Sequence, residues 1–212
     1  MSYRLKFLVT LLIFLITAPS IFSQGTRLLR EPTISDESIV FVHAYDLWKV
    51  DRNGGDATRL TSNIGGEMAP HFSPDGSMIA FTGQYDGNSD VYVVSAEGGS
   101  PERLTWHPGT DMVTGWSPDG DILFRSGRDG HPTQTNRIWR VSPDGGTPAV
   151  LPIPRAANGD ISDDGQYIAY NPITFWDPEW RNYRGGQAQP IWIVDLESYE
   201  LIQTPRTDTD RH

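Results

Sequence analysis

The sequence predicts an all-β protein, and within that class a β-propeller with four blades of four strands each. Three observations lead to this prediction: a tight turn that recurs along the chain, a short apolar run after each turn, and a second run in which apolar and aromatic residues alternate. A period of about forty residues with four short strands per copy is the signature of a propeller blade.

The recurring turn is Ser-Pro-Asp-Gly, which stands at residues 73–76 and again at 117–120. Degenerate copies read "SDES" at 35–38 and "SDDG" at 162–165, so the first serines are 38, 44 and 45 residues apart. Proline presets φ, while the aspartate and the glycine supply the hydrogen bond of the turn and its positive-φ residue. The repetition predicts four units of similar length.

Each turn is followed by the same succession of strand-like runs. The first runs read "IVFVH", "MIAFTG", "ILFRSG" and "YIAY", and the second read "DLWKVD", "DVYVVS", "RIWRVS" and "PIWIVD". In three copies a Gly-Gly pair and a third run, "ATRLT", "PERLT" or "PAVLP", complete the unit. Such alternation lets a sheet bury both faces against neighbouring sheets. Trp48, Trp139 and Trp192 recur at one strand position, so we predict that they belong to the core between blades.

The repeats place the blades at about residues 32–61, 68–106, 111–152 and 157–205. The strand before each turn is expected to be the innermost one and to line the central channel. An ordinary β-sandwich with similar turns is the alternative, and the fourfold coincidence of turn, aromatic strand and closing strand argues against it. Four blades are the rare lower end for propellers, so we expect an incomplete propeller within a longer polypeptide.

The composition is that of a globular domain with a marked acidic excess. Hydrophobic residues make up 37% and charged residues 21%, which excludes a disordered or coiled-coil chain. Asp and Glu number 27 against 17 Lys and Arg, so the chain should repel a phosphate backbone, and nucleic acid is not expected as a partner. Because there is no cysteine, packing rather than disulfides must stabilise the core.

The N-terminus has the pattern of a secretory signal peptide, which we predict at residues 1–23. Two basic residues precede an apolar run at 7–18, and Ser23 stands at a plausible cleavage point. A membrane anchor is the alternative, but the unbroken run is shorter than the ~20 residues that a spanning helix needs. We therefore expect cleavage after Ser23, a short linker at 24–31, and a periplasmic or secreted product without stable membrane insertion.

One serine and five histidines are the candidates for a catalytic nucleophile or for metal ligands, and structural roles explain them better. Ser117 lies in "GWSPD", which lacks the second glycine of a nucleophile elbow and coincides with the repeated turn. The histidines occur singly, without metal-ligand spacing between any pair, so we expect capped or surface side chains at His43, His71, His107, His131 and His212.

The loop "DGNSD" has the spacing of a calcium-binding loop. Its Asp86, Asn88 and Asp90 stand at alternate positions, and Glu97 falls at the twelfth place. The glycine that such a loop requires at the sixth place is Val91, which opens a strand. A hairpin with solvated acids is therefore the preferred interpretation.

A long segment at 171–189 interrupts the fourth unit and contains Trp176 and Trp180. Loops of this length are often functional, so it could cover a channel mouth or contact another domain. Packing of the two indoles beneath the loop is an equally good interpretation.

The repeats resemble the WD40-like repeats of the TolB family and of many other propellers. Two longer stretches are more specific: "RLTWHPGTDMVTGWSPDGDILFRSGR" at 103–128 and "EWRNYRGGQAQPIWIVDL" at 179–196. Both resemble the first propeller of tricorn-type proteases, which are serine peptidases of family S41. The resemblance extends from Leu28 to the end of the chain.

In the tricorn family a six-bladed propeller precedes a seven-bladed one, a PDZ-like domain and the catalytic part. The resemblance therefore implies that the four units are part of a six-bladed propeller in a serine peptidase. The family's catalytic serine, histidine and glutamate match no position here, so no catalytic, cofactor-binding or metal-binding residue is expected in this chain. The signal peptide departs from the cytosolic archaeal members and suggests a secreted or periplasmic bacterial relative.

Two functions remain open at this stage. In the first, the chain is the non-catalytic N-terminal propeller portion of an exported tricorn-like serine peptidase, and it guides or gates peptides. Its partners are then peptides or unfolded protein segments, other domains of the same chain, and further copies in a homo-oligomer. In the second, it is a TolB-like periplasmic propeller that binds proteins. The longer matched stretches favour the first, and the coding sequence beyond His212 would separate the two.

Overall fold

The structure is a computed structural model, and it describes residues 28–130, 135–173 and 190–204. Within these ranges sixteen strands form four antiparallel sheets of four strands, and no helix occurs. Each sheet is a meander, because its four strands pair in sequence order. The prediction of an all-β chain with four four-stranded blades is confirmed. None of the described residues forms a helix that is long and apolar enough to cross a bilayer.

In each blade the first strand in the sequence is the innermost and the fourth is the outermost. The first blade consists of β1 (Arg30–Ile34), β2 (Ser38–His43), β3 (Asp46–Asp51) and β4 (Thr58–Arg59). The second consists of β5 (Glu67–Phe72), β6 (Met78–Gly83), β7 (Asp90–Ser95) and β8 (Glu102–Arg103). The third consists of β9 (Asp111–Trp116), β10 (Ile122–Ser126), β11 (Arg137–Val141) and β12 (Ala149–Val150). The fourth consists of β13 (Asn158–Ile161), β14 (Tyr167–Asn171), β15 (Trp192–Asp195) and β16 (Leu201–Gln203).

The first blade begins earlier than the repeats suggested. Strand β1 starts at Arg30, two residues before the expected boundary at 32, and therefore overlaps the linker expected at 24–31. Its sequence "REPTI" has little hydrophobic alternation, and all five residues are exposed or half-buried. A strand without a buried face leaves no periodic signal in the sequence.

The repeated turn connects the first two strands of each blade through side-chain hydrogen bonds. In the second blade the Ser73 hydroxyl donates to Asp75 Oδ1 over 2.6 Å, and the Met78 amide donates to Ser73 Oγ over 2.9 Å. Gly76 has a φ of 71°, which favours glycine. The same serine–aspartate pair recurs at Ser117 and Ser162, so the tetrapeptide recurs because it closes the same turn.

The sheets pack face to face through a pattern that repeats at every junction. We call the face that a blade turns toward the next blade its forward face, and the opposite face its backward face. Each backward face carries a cross-strand aromatic pair, which packs against aliphatic side chains on the forward face of the preceding blade. The pairs at the three junctions are Phe81–Tyr92, Phe124–Trp139 and Tyr170–Trp192.

Main-chain hydrogen bonds fix the spacing between consecutive blades. The amide of Glu67 donates to the carbonyl of Tyr45 over 3.0 Å, and the amide of Asp111 donates to that of Ser89 over 2.9 Å. The amide of Ala156 donates to that of Asn136 over 2.9 Å. Each bond ties the start of an innermost strand to the loop between the second and third strands of the preceding blade. The innermost strands β1, β5, β9 and β13 are consequently adjacent in that order.

The four sheets form an arc rather than a closed ring. On the forward face of the fourth blade, Ala169, Ile193 and Ile202 lie side by side across the strands, and Ile202 is 47% exposed. On the backward face of the first blade, Phe41 and Trp48 form the same aromatic pair as at the junctions. The described residues place no further blade against either face, as expected for an incomplete propeller.

The hairpin between β2 and β3 contains an unfavourable backbone conformation. Its two-residue loop, Ala44 and Tyr45, has φ values of 52° and 70°. Positive φ at both positions is the requirement of a type I′ turn, which Asn-Gly satisfies and bulky residues do not. The Tyr45 ring lies 5.6 Å from the Arg30 guanidinium, so a modest cation–π contact offsets part of this cost.

We predict that replacing Tyr45→Gly stabilises the protein by about 1 kcal/mol, because glycine removes the left-handed strain. The midpoint of thermal unfolding should rise by about 2–4 °C. Trp106→Gly is the matched control, since Trp106 is equally exposed, also stacks on an arginine, and has no positive φ. Equal destabilisation by both substitutions would disprove the strain at Tyr45.

Candidate functional site

A cavity of about 780 Å³ lies beside the innermost strands of the second, third and fourth blades. It is bounded by the ends of β5 and β9, by the whole of β13, and by part of β14. Trp116, Phe72 and Tyr170 supply apolar walls, and Asp160 and Asp163 supply carboxylates. The strand before the turn therefore lines the cavity in the second, third and fourth blades.

Three of the innermost strands contain bulges. In β1, β5 and β9 the pairing with the neighbouring strand shifts by one residue, and in the first two Glu31 and Ala69 adopt φ values of 50° and 51°. The Ala69 amide donates to Glu31 Oε2 over 2.5 Å, so the bulge of the first blade is connected to the bulge of the second. Bulges often redirect side chains near binding sites.

Of the histidines within the described residues, His71 alone lines the cavity. Burial lowers the pKa of its imidazole, and the carboxylates of Asp160 and Glu31 oppose that effect. Its main chain is fixed from the third blade, because the Trp116 indole donates to the His71 carbonyl over 2.9 Å. At neutral pH the cavity therefore presents a neutral imidazole between an indole and carboxylates.

A buried carboxylate lies at the junction of the first two blades. Glu67 is 1% exposed, and its Oε2 accepts hydrogen bonds from the Leu47 amide, over 2.8 Å, and from the Thr61 hydroxyl. Its Oε1 accepts from the Tyr85 hydroxyl over 2.6 Å. Burial raises the pKa of Glu67, and the neighbouring Asp46 carboxylate adds to the rise. Within the described residues this group joins strand β3 and two separate loops, without a cation at hydrogen-bond distance.

The next junction uses a carboxylate at the equivalent position, and here an arginine neutralises it. Asp111 is fully buried, and its Oδ2 lies 2.5 Å from Nη2 of Arg128. The guanidinium is also placed over the rings of Phe124 and Trp139, at 5.1 and 5.0 Å from their centroids. Arg128 therefore joins the aromatic pair of the third blade to the buried charge, which is a structural role.

In the candidate calcium loop, an arginine side chain pairs with the two aspartates. Arg103 contacts Asp90 Oδ2 over 2.7 Å and Asp86 Oδ2 over 3.1 Å. Asn88 donates to the His107 carbonyl over 2.6 Å, while Glu97 pairs with Lys49 at the opposite end of β7. Within the described ranges no group of three or more His, Asp or Glu side chains is arranged to hold a metal.

The other candidates from the sequence have structural positions. Ser117 is 1% exposed, and its hydroxyl donates to Asp119 Oδ1 over 2.5 Å inside the repeated turn. His107 accepts from the Gly109 amide over 2.9 Å, and His43 stacks edge-on against Trp48. His131, His212, Trp176 and Trp180 lie outside the described residues, as does most of the segment at 171–189.

The three repeated tryptophans occupy the aromatic position of their backward faces. Trp139 is 8% exposed within the second junction, and Trp192 packs against the third. Trp48 holds the same position on the first blade, where the described residues place no preceding blade against it. The predicted role in the core between blades is therefore correct for Trp139 and Trp192.

Sequence reasoning missed the carboxylates Glu67 and Asp111, which begin the innermost strands β5 and β9. Their positions were visible in the repeat, since an acidic residue precedes "MAPHFS" and "MVTGWS" at the same distance from the turn. An acidic residue at the start of a strand carries no signal of burial, so alignment of the two repeats was the available clue.

Four meander sheets packed around innermost strands that line a central cavity define the chain as part of a β-propeller domain. The chain belongs to the family of Tricorn protease N-terminal β-propeller domains, which matches residues 26–212. It is 33% identical over 177 residues to Tricorn protease homolog 1 of Streptomyces coelicolor. That similarity covers 82% of this chain and 16% of the relative, so the chain spans about a sixth of the relative's length.

Solved structures give the same result. The crystal structure of the tricorn protease superposes with a TM-score of 0.74 at 27% identity, over 86% of this chain and 19% of that one. TolB from Acinetobacter baumannii superposes with a TM-score of 0.61 at 23% identity, over 82% of this chain and 43% of that one. The second similarity shows the propeller fold alone, and both confirm the resemblances in the sequence.

We predict that Glu67→Gln stabilises the protein at neutral pH. The folded pKa of Glu67 lies above the ordinary value of 4.5, so its favourable contribution is complete below pH 4.5 and is lost as pH rises through the folded pKa. The carbonyl oxygen of glutamine can accept from Leu47 and Thr61, its amide group can donate to the Tyr85 hydroxyl oxygen, and the side chain carries no charge. Urea unfolding should show a gain in stability near pH 7 that disappears at about pH 4.

Asp75→Asn is the control, because it should change the stability at neutral pH in the opposite direction to Glu67→Gln. Hydrogen bonds from Ser73 and Ser77 lower the pKa of Asp75 to about 2, below its ordinary 3.8. Its contribution is therefore present above pH 3.8 and is lost as pH falls toward 2. This variant should be destabilised near neutrality, with a difference that shrinks in acid. If both variants changed the stability near neutral pH in the same direction, the assignment of Glu67 as a desolvated carboxylate would be contradicted.

Proposed function

We propose that this chain is the non-catalytic N-terminal propeller portion of an exported, tricorn-like serine peptidase, and that it guides or gates peptides. The family membership across residues 26–212 supports the first part of this proposal. The parent protein supplies the hydrolytic centre, and the propeller contacts other domains of the same chain, peptides or unfolded segments, and further copies in an oligomer.

The observation that carries the guiding role is the cavity beside the innermost strands. It extends along the whole of β13, whose edge opposite β14 is unpaired within its sheet, and combines aromatic walls with polar groups. An unpaired strand edge can accept main-chain hydrogen bonds from an extended peptide without regard to its sequence. Such a surface suits a protein that must handle many peptides.

A TolB-like binding module is the second class of function considered. The similarity to TolB, at 23% identity, shows a shared fold and does not favour a shared role. Because the matched tricorn structure is more similar in both sequence and fold, we retain the peptidase assignment. A test of peptide cleavage by the complete protein separates the two.

We predict that a protein comprising residues 24–212 hydrolyses no peptide, whereas the complete protein hydrolyses a mixed peptide library. Ser117 is buried in a turn and bonded to Asp119, so it cannot act as a nucleophile. Mass spectrometry of the digests measures both activities. Cleavage by residues 24–212 that Ser117→Ala abolishes would overturn this assignment, and no cleavage by the complete protein would favour the TolB-like alternative.

Export is tested separately. We predict that residues 1–23, fused to a reporter enzyme that is active only outside the cytoplasm, direct the reporter to the periplasm and are removed after Ser23. Replacing Leu11→Arg and Leu12→Arg in the apolar run should abolish export, because charge in this region prevents recognition as a signal peptide. A reporter that stays membrane-bound and uncleaved would indicate an anchor instead.

A further inference from the structure

We propose that the cavity beside β13 selects extended peptide segments in which a basic residue neighbours an apolar one. This inference rests on the proposed function and specifies the substrate class of the same site. It follows from the distribution of charge and apolar surface over the described residues of the cavity wall.

Among the described residues, the cavity wall carries negative charge without a compensating cation. Asp160 lies in the middle of β13, and Asp163 lies in the following turn. Both side chains are exposed, and neither forms a hydrogen bond or ion pair with another described residue. None of the described residues that line the cavity is lysine or arginine, and burial lowers the pKa of His71, so the imidazole stays neutral. A cleft lined by one sign of charge concentrates the opposite charge.

The apolar part of the wall lies directly beside the two carboxylates. Trp116 lines the cavity from the third blade, and Tyr170 and Ile161 line it from the fourth. Side chains alternate on an extended peptide, so neighbouring residues point in opposite directions and can contact the two parts at once. The four residues of β13 span about 13 Å, which matches four residues of an extended peptide.

The location of the basic residue along the cavity is also defined. Arg125 belongs to β10, and its guanidinium reaches the start of β13. It contacts Asn158 Oδ1 at 3.5 Å and the Met112 sulfur at 2.8 Å. A second cation is disfavoured at that end. The basic residue of the peptide therefore belongs near Asp160 and Asp163, toward the repeated turns.

The experiment measures binding to the 212-residue chain by fluorescence anisotropy. The probe is a labelled, terminally blocked peptide of about eight residues composed of valine, lysine and serine. Two further probes carry glutamine or glutamate in place of lysine. We expect the lysine peptide to bind more tightly than both, and the preference to vanish at about 1 M salt, where the Debye length is about 3 Å.

The variant Asp160→Asn with Asp163→Asn should weaken binding of the lysine peptide by about fivefold and leave the glutamine peptide unchanged. The matched control is Asp56→Asn with Asp144→Asn, which makes the same change in net charge at two exposed outer turns away from the cavity. It should bind all three peptides as the unmodified protein does. A cooperative thermal transition for each variant establishes that it is folded.

The outcomes separate this inference from the proposed function. Equal binding of the three peptides, unaffected by the cavity variant, would leave peptide guidance intact and overturn charge selection. Equal weakening by the cavity variant and the outer-turn control would attribute the preference to overall charge and also overturn the selection. Binding of no peptide by the folded protein would count against both.

Discussion

Every blade in this protein depends on a neighbour, because each sheet has two apolar faces and can cover neither alone. The backward face offers an aromatic pair such as Phe81 and Tyr92, and the forward face of the preceding blade offers the aliphatic surface that covers it. Burial of one large apolar side chain contributes about 1.5–3 kcal/mol, so a junction that covers several exceeds the effect of any single hydrogen bond in the structure. The hydrogen bonds set the angle between blades, and the hydrophobic contacts provide the free energy.

The junctions also contain charged groups. The two buried carboxylates that begin β5 and β9 are stabilised by different kinds of partner. Glu67 is satisfied by three neutral donors and remains costly to ionise, whereas Asp111 is neutralised by Arg128, which stacks on the adjacent aromatic pair. A buried charge stabilised by hydrogen bonds from several loops holds those loops in one arrangement. The geometry of the innermost strands, and hence the shape of the cavity between them, therefore depends on groups that do not themselves line it.

The features of this structure that the sequence predicts are those determined by residues close together in the chain. The Ser-Pro-Asp-Gly turn and the aromatic strands are recognisable because turn chemistry acts within four residues and strand burial has a period of two. The site is different. The donors to Glu67 come from strand β3 and from two loops, and the cavity forms between three blades, so neither leaves a pattern in one stretch of sequence. Strand β1 leaves no periodic pattern for a related reason, since it has no buried face.

The brevity of the outermost strands has a consequence for behaviour in solution. Strands β4, β8 and β12 contain two residues each, so the rim of the arc offers few unpaired main-chain groups. A foreign chain that pairs there gains too few hydrogen bonds to persist, and the rim is a poor template for growth of a fibril. The fourth blade differs, because β16 is longer and exposes Leu201 and Ile202. Under partial unfolding, intermolecular pairing should therefore begin at the fourth blade and not at the other three.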